Sequence, residues 1–180
     1  SNETIAASAV VTNADSSGML DATDAIQGAL DVVAAQGGGT VFVPTGTYRV
    51  DGNLTLDYGV TLQGAGGSLD GTVLQAYAGR GDTNAAPFIE AVSSEIGLIG
   101  LCIVYPEQTP DTIQPYPPTI KTDGAATLRN LLLINSYYGI YCVHINASVL
   151  ENIRGTVLKR GIFAPFSSEF SWMRDVHFSN

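Results

Sequence analysis

The second half of the chain repeats one short pattern of apolar and polar positions. Each copy reads apolar, any residue, Gly/Asn/Asp, apolar, any residue, apolar, and the copies begin at Leu98, Leu128, Leu150 and Met173. The last three begin 22 and 23 residues apart, and Gly139-Ile140 and Gly161-Ile162 are also 22 apart. A repeat of about this length with strand-like alternation is typical of a solenoid of stacked coils. We therefore expect strands from successive copies to pair in register.

The first half of the chain predicts one helix followed by short strands. Asp21 is a good N-cap, an apolar stripe follows at helical spacing, and the glycines at 37–39 end the helix. Strands are expected at residues 40–43, 45–50, 53–56, 59–63, 72–77 and 88–92. One amphipathic helix ahead of strands fits a cap over the first coil. We expect a single domain over 1–180, with an extended lead-in at 1–20, the capping helix at 21–37 and coils at 40–180.

Aligning the copies separates inward, turn and outward positions. The inward columns are Leu131/Ile153/Val176 and Leu133/Gly155/Phe178. The column Asn130/Asn152/Asp175 falls at a turn, where short polar side chains satisfy the backbone. The outward column is Cys102/Leu132/Arg154/His177, which places Arg154 beside His177 at the spacing of adjacent strands, about 4.8 Å. The second repeated element stacks Tyr137 on Lys159 and Tyr138 on Arg160.

Composition supports an all-β fold and argues against some partners. Charged residues make up 14% of the chain, and 20 glycines accompany many β-branched residues. No apolar run is long enough to span a membrane. The net charge of −9 disfavours nucleic acid as a partner. Residues 124–180 carry five basic and three acidic side chains; such a basic zone either attracts an anionic ligand or is an ordinary solvated face.

The two cysteines, Cys102 and Cys142, are too few for a disulfide framework. We expect two buried free thiols, although a bridge between them is also open. No cluster of Cys and His has the spacing of a metal site.

Residues 21–66 resemble the opening of the pectate-lyase-like superfamily. The matching phrases run over 21–30, 37–48 and 59–66. The resemblance implies a right-handed parallel β-helix, as in rhamnogalacturonase/epimerase-type and laminarinase-type exo-β-1,3-glucanase proteins. It leaves the function open, because hydrolases, lyases, epimerases and phage tailspikes share this opening.

The chain also departs from that family's patterns. An upstream Asp-Tyr-Gly-Ala-like phrase is absent, as are the paired-Asp, Gly-His-Gly and Arg-x-Lys motifs of polygalacturonase-like hydrolases. A convincing cluster of Asp ligands for the calcium that many pectate lyases use is absent too. We therefore expect no cofactor, with calcium left possible by the resemblance.

Two kinds of catalytic chemistry have candidate residues. Glycoside hydrolysis needs two carboxylates about 5–10 Å apart, and the candidates are Glu151, Glu169 and Asp175, of which Asp175 fits the turn column better. Lyase chemistry on a uronic acid needs a base and a cation. Its candidates are Arg154 and His177, with Lys159 and Arg160 nearby; the alternative is that these are exposed polar residues on an outer sheet.

Aromatic residues suggest a sugar-binding surface. A Pro-rich insertion at 105–118 contains Tyr105 and Tyr116, and Tyr137 and Tyr138 form a second pair. Such rings could stack on sugars, or could simply pack the loop onto the sheet.

These observations lead to one main hypothesis and one alternative. The main hypothesis is the N-terminal, cap-bearing part of a secreted carbohydrate-active enzyme, a glycoside hydrolase or polysaccharide lyase. The alternative is a structural or binding segment without catalysis, such as a phage tail or adhesion component. Because the last copy of the repeat stops before its coil closes, we expect an incomplete solenoid. Its expected partners are a poly- or oligosaccharide and the remainder of the β-helix, as a second segment or an oligomer.

Overall fold

The protein is a parallel β-helix with one capping helix. The computed structural model describes residues 7–166 and 171–179. Helix α1 spans Thr23–Ala35. The strands are β1 Ala9–Val10, β2 Ser17–Asp21, β3 Gly39–Val43, β4 Gly46–Val50, β5 Leu54–Leu56, β6 Val60–Gly64, β7 Thr72–Ala76, β8 Ile89–Ala91, β9 Ile96–Val104, β10 Pro118–Thr122, β11 Ala126–Cys142, β12 Val149–Phe163 and β13 Trp172–Ser179. All ladders between these strands are parallel, which confirms the predicted fold class.

The strands stack into three faces. The first face contains β1, β3, β6, the start of β9 and the first segments of β11, β12 and β13. The second face contains β2, β4, β7, the end of β9 and the middle segments of β11, β12 and β13. The third face contains β5, β8, β10 and the last segments of β11 and β12. One coil therefore passes through all three faces in turn.

In the last four coils the corner between the first and second faces is made by one residue. Gly100, Asn130, Asn152 and Asp175 all have positive φ, at 65°, 55°, 50° and 54°. Gly and Asn adopt this left-handed conformation at the least cost. The side-chain amide of Asn152 also donates a 2.9 Å hydrogen bond to Oδ1 of Asn130 in the preceding coil. The predicted polar ladder at a turn is confirmed for this pair.

The predicted register is also confirmed. Leu128 pairs with Leu98 on one side and Leu150 on the other, and Leu150 pairs with Met173. Arg154 pairs with His177, and Tyr138 pairs with Arg160. The predicted pairing of Tyr137 with Lys159 is not among the register partners, because the ladder shifts register on both sides of Ser136 and leaves Tyr137 in the irregular stretch.

Helix α1 covers the first coil with the predicted apolar stripe. Ile26, Leu30 and Val33 are buried. At its C-terminal end the amides of Gly37 and Gly38 donate to the carbonyls of Ala34 and Val33, so the glycines end the helix as expected. At the other end the predicted N-cap is wrong by one residue.

The N-cap position is Ala22, and no side chain caps it. Asp21 accepts hydrogen bonds from the backbone of Thr23 and of Asp51, both at 3.0 Å. Asp21 therefore ties the start of the helix to the chain that follows β4.

The lead-in is part of the sheets. β1 pairs with β3, and β2 pairs with β4. Between them Asp15 accepts hydrogen bonds from the amides of Leu20, Ser17 and Met19. The Leu20 amide and the Ser17 hydroxyl are the main causes that lower the pKa of Asp15 to about 2. Residues 1–6 lie outside the described part.

The inward columns form the core. Leu131, Leu133 and Ile153 are fully buried, and Val176 and Phe178 pack half-buried against them. Both cysteines are buried free thiols, as expected, and burial raises the pKa of Cys102 to about 11. Cys102 holds the predicted outward register position, yet none of its surface is exposed. No helix in the described residues is long and apolar enough to cross a membrane.

The positive φ in the turn column predicts how substitutions at Asn152 change the stability. Asn152→Ala should lower the free energy of unfolding by about 1 kcal/mol, because alanine tolerates positive φ poorly and cannot bond to Asn130. Asn152→Gly should lose less, since glycine keeps the backbone conformation. Urea unfolding of both variants measures the difference. An alanine variant as stable as the glycine variant would contradict the role of backbone conformation at this corner.

Candidate functional site

An open groove lies on the third face. Its volume is about 280 Å³. It is lined by Thr83, Pro118, Tyr138, Ile140, Tyr141, Arg160 and Phe163. All but Thr83 belong to β10, β11 and β12, so rigid strands position them.

The parallel register builds the groove from two rows. One row is Pro118, Tyr138 and Arg160, and the other is Tyr141 and Phe163, whose register partner Lys121 lies outside the lining. Between the rows, Ile120 and Ile140 are buried and anchor the strands to the core. Each row therefore places one side chain per coil along the groove.

Aromatic rings give the groove an apolar surface. Tyr141 and Phe163 stack with their ring centroids 5.3 Å apart and an interplanar angle of 19°. Tyr138 packs edge-to-face on Tyr137, with centroids 4.7 Å apart. Rings held in this way can contact the apolar face of a sugar while the tyrosine hydroxyls reach its polar edge.

Arg160 is the exposed cation of the groove. Its Cζ lies 4.6 Å from the centroid of the Phe163 ring. No carboxylate within residues 7–166 and 171–179 forms an ion pair with it. A guanidinium stacked on a ring keeps its in-plane N–H donors, which match a carboxylate in a bidentate geometry.

Two further polar pairs flank the groove. Lys121 Nζ lies 2.7 Å from Glu90 Oε1. His144 Nδ1 lies 2.6 Å from Asp123 Oδ1, and the imidazole stacks on Phe166 with centroids 5.8 Å apart. A histidine oriented by a carboxylate is an arrangement that general bases commonly use.

The sequence interpretation missed part of this site. Tyr141 and Phe163 are 22 residues apart, as are His144 and Phe166. That is the step of the repeat, so the same alignment that paired Tyr138 with Arg160 could have placed these residues beside each other.

Glu151 is part of a charge ladder, which makes it a poor catalytic candidate. Its carboxylate lies 2.9 Å from Arg129 Nε, an ion pair without hydrogen-bond geometry, and it accepts a hydrogen bond from Arg174. Arg129, Glu151 and Arg174 are register partners in three successive coils of the first face. The carboxylate is thus held between two cations and away from the groove.

The structure separates the other predicted residues. Arg154 and His177 are exposed neighbours on the second face, so they do not join Arg160 in one site. Lys159 is exposed within the irregular stretch that leads into the third face. Asp175 occupies the turn column with positive φ. Glu169 lies outside the described residues.

The prediction that Tyr105 and Tyr116 stack on sugars is wrong. Both rings are buried, and they pack edge-to-face on each other with centroids 4.8 Å apart. The Tyr105 hydroxyl donates to Thr119, and burial is the main cause that raises the pKa of both phenols. These tyrosines pack the insertion onto the solenoid, which was the alternative considered for them.

The described residues do not fit a metal site. No group of three or more His, Cys, Asp or Glu side chains is gathered among them. Calcium needs about six to eight oxygen ligands, so no chemical step is assigned to it. The expectation about cofactors stays a prediction.

Comparison with protein families finds a match in the N-terminal half. Residues 8–96 match the family model described as rhamnogalacturonase A/epimerase, pectate lyase-like. This match confirms the resemblance to the pectate-lyase-like superfamily.

Two curated relatives share a short segment with the chain. Mannuronan C5-epimerase AlgE5 of Azotobacter vinelandii is 48% identical over 56 residues, and alginate lyase 7 of the same organism is 46% identical over 56 residues. Each segment covers 27% of this chain and 6% of the relative. The chain therefore matches only a small part of these much longer proteins.

A solved structure shares the fold over nearly the whole chain. The A-module of Azotobacter vinelandii mannuronan C-5 epimerase AlgE4 superposes with a TM-score of 0.65 at 21% identity. The superposition covers 94% of this chain and 52% of the A-module. At this identity the likeness shows a common parallel β-helix.

The charge ladder predicts the effect of removing Glu151. Glu151→Gln should lower the free energy of unfolding by at most about 1 kcal/mol, because partly exposed ion pairs contribute little. The loss should shrink at high salt, which screens the pairs. Glu95→Gln is the control, since Glu95 is exposed and forms no ion pair within the described residues. Urea unfolding at low and high salt checks this; a loss independent of salt would contradict the ladder.

Proposed function

We propose that this chain, a parallel β-helix with a pectate-lyase-like N-terminal half, is the cap-bearing N-terminal part of a secreted enzyme that acts on an anionic polysaccharide. Its relatives are named for the modification of mannuronan and alginate. The family match and these relatives support polysaccharide as the substrate class. The third-face groove supplies the site.

One observation carries the choice of an anionic sugar. Arg160 stacks on Phe163 inside an aromatic groove and forms no ion pair within the described residues. An arginine that stacks on a ring and whose charge is not paired can bind the carboxylate of a uronic acid, while Tyr138 and Tyr141 contact the sugar rings.

The composition of the groove favours lyase or epimerase chemistry over hydrolysis. Both reactions remove the proton next to the uronate carboxylate, so they need a cation at the carboxylate and a base. Arg160 supplies the cation. His144, held by Asp123, follows the end of β11 by two residues and is the candidate base. Among the described residues, those that line the groove include no carboxylate, whereas hydrolysis commonly uses two.

We also propose that a further coil pairs with β13. β13 pairs only with β12 in the part of the chain that the structure describes. Met173 is 51% exposed, whereas its column neighbours Leu128 and Leu150 are buried. Another coil, from the same protein or a second copy, would cover this apolar surface.

Binding of mannuronate oligosaccharides tests the proposed site. Arg160→Gln should weaken binding by about tenfold or more, because a charge-assisted hydrogen bond to the carboxylate is lost. Arg154→Gln is the matched control, since it removes the same charge from the exposed second face. Isothermal titration calorimetry of the three proteins measures the difference.

Two outcomes would contradict the proposed site. One is equal binding by the Arg160 and Arg154 variants, and the other is equal binding of a neutral glucan oligosaccharide. Absorbance of unsaturated products, measured beside reducing-sugar release, separates a lyase from a hydrolase. Binding without any turnover would favour the alternative of a non-catalytic binding segment.

A further inference from the structure

A network of buried hydroxyl groups contacts the main chain of the groove. Thr119 in β10 and Ser136 in β11 are fully buried, and so is Tyr105. The Tyr105 hydroxyl donates a 3.1 Å hydrogen bond to Thr119 Oγ1, which lies 2.9 Å from Ser136 Oγ. Thr119 Oγ1 also donates a 2.9 Å hydrogen bond to the carbonyl of Tyr138, a residue that lines the groove.

The chemistry of these groups shows how much depends on Thr119. A carbonyl oxygen only accepts, so the single hydroxyl hydrogen of Thr119 is directed at Tyr138. The two lone pairs of Thr119 Oγ1 then serve the hydroxyls of Tyr105 and Ser136. Without this one hydroxyl, three buried polar groups would each lose a partner, which is costly inside a protein.

The regular sheet pairing is interrupted where this network is attached. The ladder between β11 and β12 shifts register on both sides of Ser136, immediately before Tyr138. On the other side, Pro118 is the register partner of Tyr138 and has no N–H to donate. The Thr119 hydroxyl therefore holds the main chain at a place where the ladder alone fixes it poorly.

The insertion between β9 and β10 fixes the corner of β11 that precedes the groove. Asn135 has a φ of 59°, a left-handed conformation that turns the chain toward the third face. Its side-chain amide donates a 3.0 Å hydrogen bond to the carbonyl of Gln108 in the insertion. The amide of Tyr105, the first residue of the insertion, donates to the Ile134 carbonyl at 3.2 Å. The insertion is thus attached to β11 just ahead of the lining residues.

Tyr138 differs from the other aromatic residues of the groove in how its ring is supported. Tyr141 and Phe163 stack on each other, and Arg160 stacks on Phe163. The Tyr138 ring instead packs edge-to-face on Tyr137, which lies in the irregular stretch of β11. Its position in the groove therefore depends on the main chain that the buried hydroxyls hold.

We propose that Thr119 is a positioning residue of the groove: its hydroxyl fixes the main chain at Tyr138 and so sets where the Tyr138 ring meets a bound sugar. Thr119 is buried, so it acts through Tyr138 and not by contact with the ligand. This inference rests on the proposed function of the same groove. It adds that the insertion between β9 and β10 acts on sugar binding from the core, through the hydroxyl of Tyr105.

The position of the Tyr138 ring can be measured without a ligand. In protein labelled with ¹³C in its tyrosine rings, the NMR signal of Tyr138 is identified by its loss in Tyr138→Phe. Thr119→Val should shift or broaden this signal, because valine has nearly the shape of threonine but cannot donate to the carbonyl. Thr119→Ser, which retains the hydroxyl, should return the signal close to its original position.

Thr122→Val is the matched control in the same strand. Thr122 is also buried, but its hydroxyl has no oxygen or nitrogen partner in the described residues and faces the weakly polar thiol of Cys142. Its removal should therefore leave the Tyr138 signal and the binding of oligosaccharide unchanged. Circular dichroism checks that each variant keeps the fold.

Tyr105→Phe provides a second variant in case Thr119→Val does not fold. It removes one hydroxyl of the same network and keeps the ring in the core. The Tyr138 signal should shift in the same direction as in Thr119→Val, since both changes weaken the hold on the same carbonyl.

Binding of mannuronate oligosaccharides tests the consequence for the groove. Thr119→Val should weaken binding by about fivefold to tenfold, and Thr119→Ser should bind within about twofold of the unmodified protein. In a Tyr138→Ala background, Thr119→Val should have little further effect, because the ring through which it acts is gone. A general loss of stability would weaken binding in both backgrounds, so calorimetric titration of the four proteins separates the two roles.

The outcomes distinguish this inference from the proposed function. A Tyr138 signal that stays unchanged in Thr119→Val and Tyr105→Phe, or shifts equally in Thr122→Val, would overturn the inference. An equal loss of binding with and without the Tyr138 ring would also overturn it and leave the proposed function standing. If the unmodified protein binds no oligosaccharide, the proposed function fails, and the NMR comparison still decides whether Thr119 positions Tyr138.

Discussion

Parallel pairing between equivalent residues of successive coils determines how this protein is built. Leu98, Leu128, Leu150 and Met173 pair in one column, and each neighbouring position forms a column of its own. Within the last coils a column keeps the same side of the backbone, because these coils bend at the same place. The left-handed residue at Asn130 and Asn152 makes that bend possible. This bend determines which side chains lie in the core and which lie on each of the three faces.

The three faces then carry different interactions on the same scaffold. The first face holds the ladder of Arg129, Glu151 and Arg174, in which opposite charges alternate between coils. The third face instead combines Tyr141, Phe163 and Arg160 into a groove. The register that aligns structural ladders thus also aligns side chains suited to binding, and only the chemistry of each column separates the two cases.

The sequence was sufficient for the fold and for part of the site. The columns of Leu131, Asn130 and Tyr138 could be predicted because alternation and repeat length are local properties of the chain. The charge ladder at Glu151 was missed because its charge was considered without its column neighbours, Arg129 and Arg174. Tyr105 and Tyr116 could not be assigned from sequence, since whether an insertion folds inward depends on packing with residues such as Phe88 in another coil. The loops 77–87 and 105–117 contact each other through Gly81 and Pro115, and no repeat encodes such a contact.

The third face is the surface that we propose to bind polysaccharide. Hydrogen exchange of the unmodified protein, with and without saturating mannuronate oligosaccharide, tests it most directly because it reports on all three faces at once. If the third face binds polysaccharide, protection should increase in residues 138–142 and 160–163 and in the loop 77–87, with no increase in residues 101–104 or 153–156. Protection centred on Arg154 and His177, or spread equally over the faces, would contradict it.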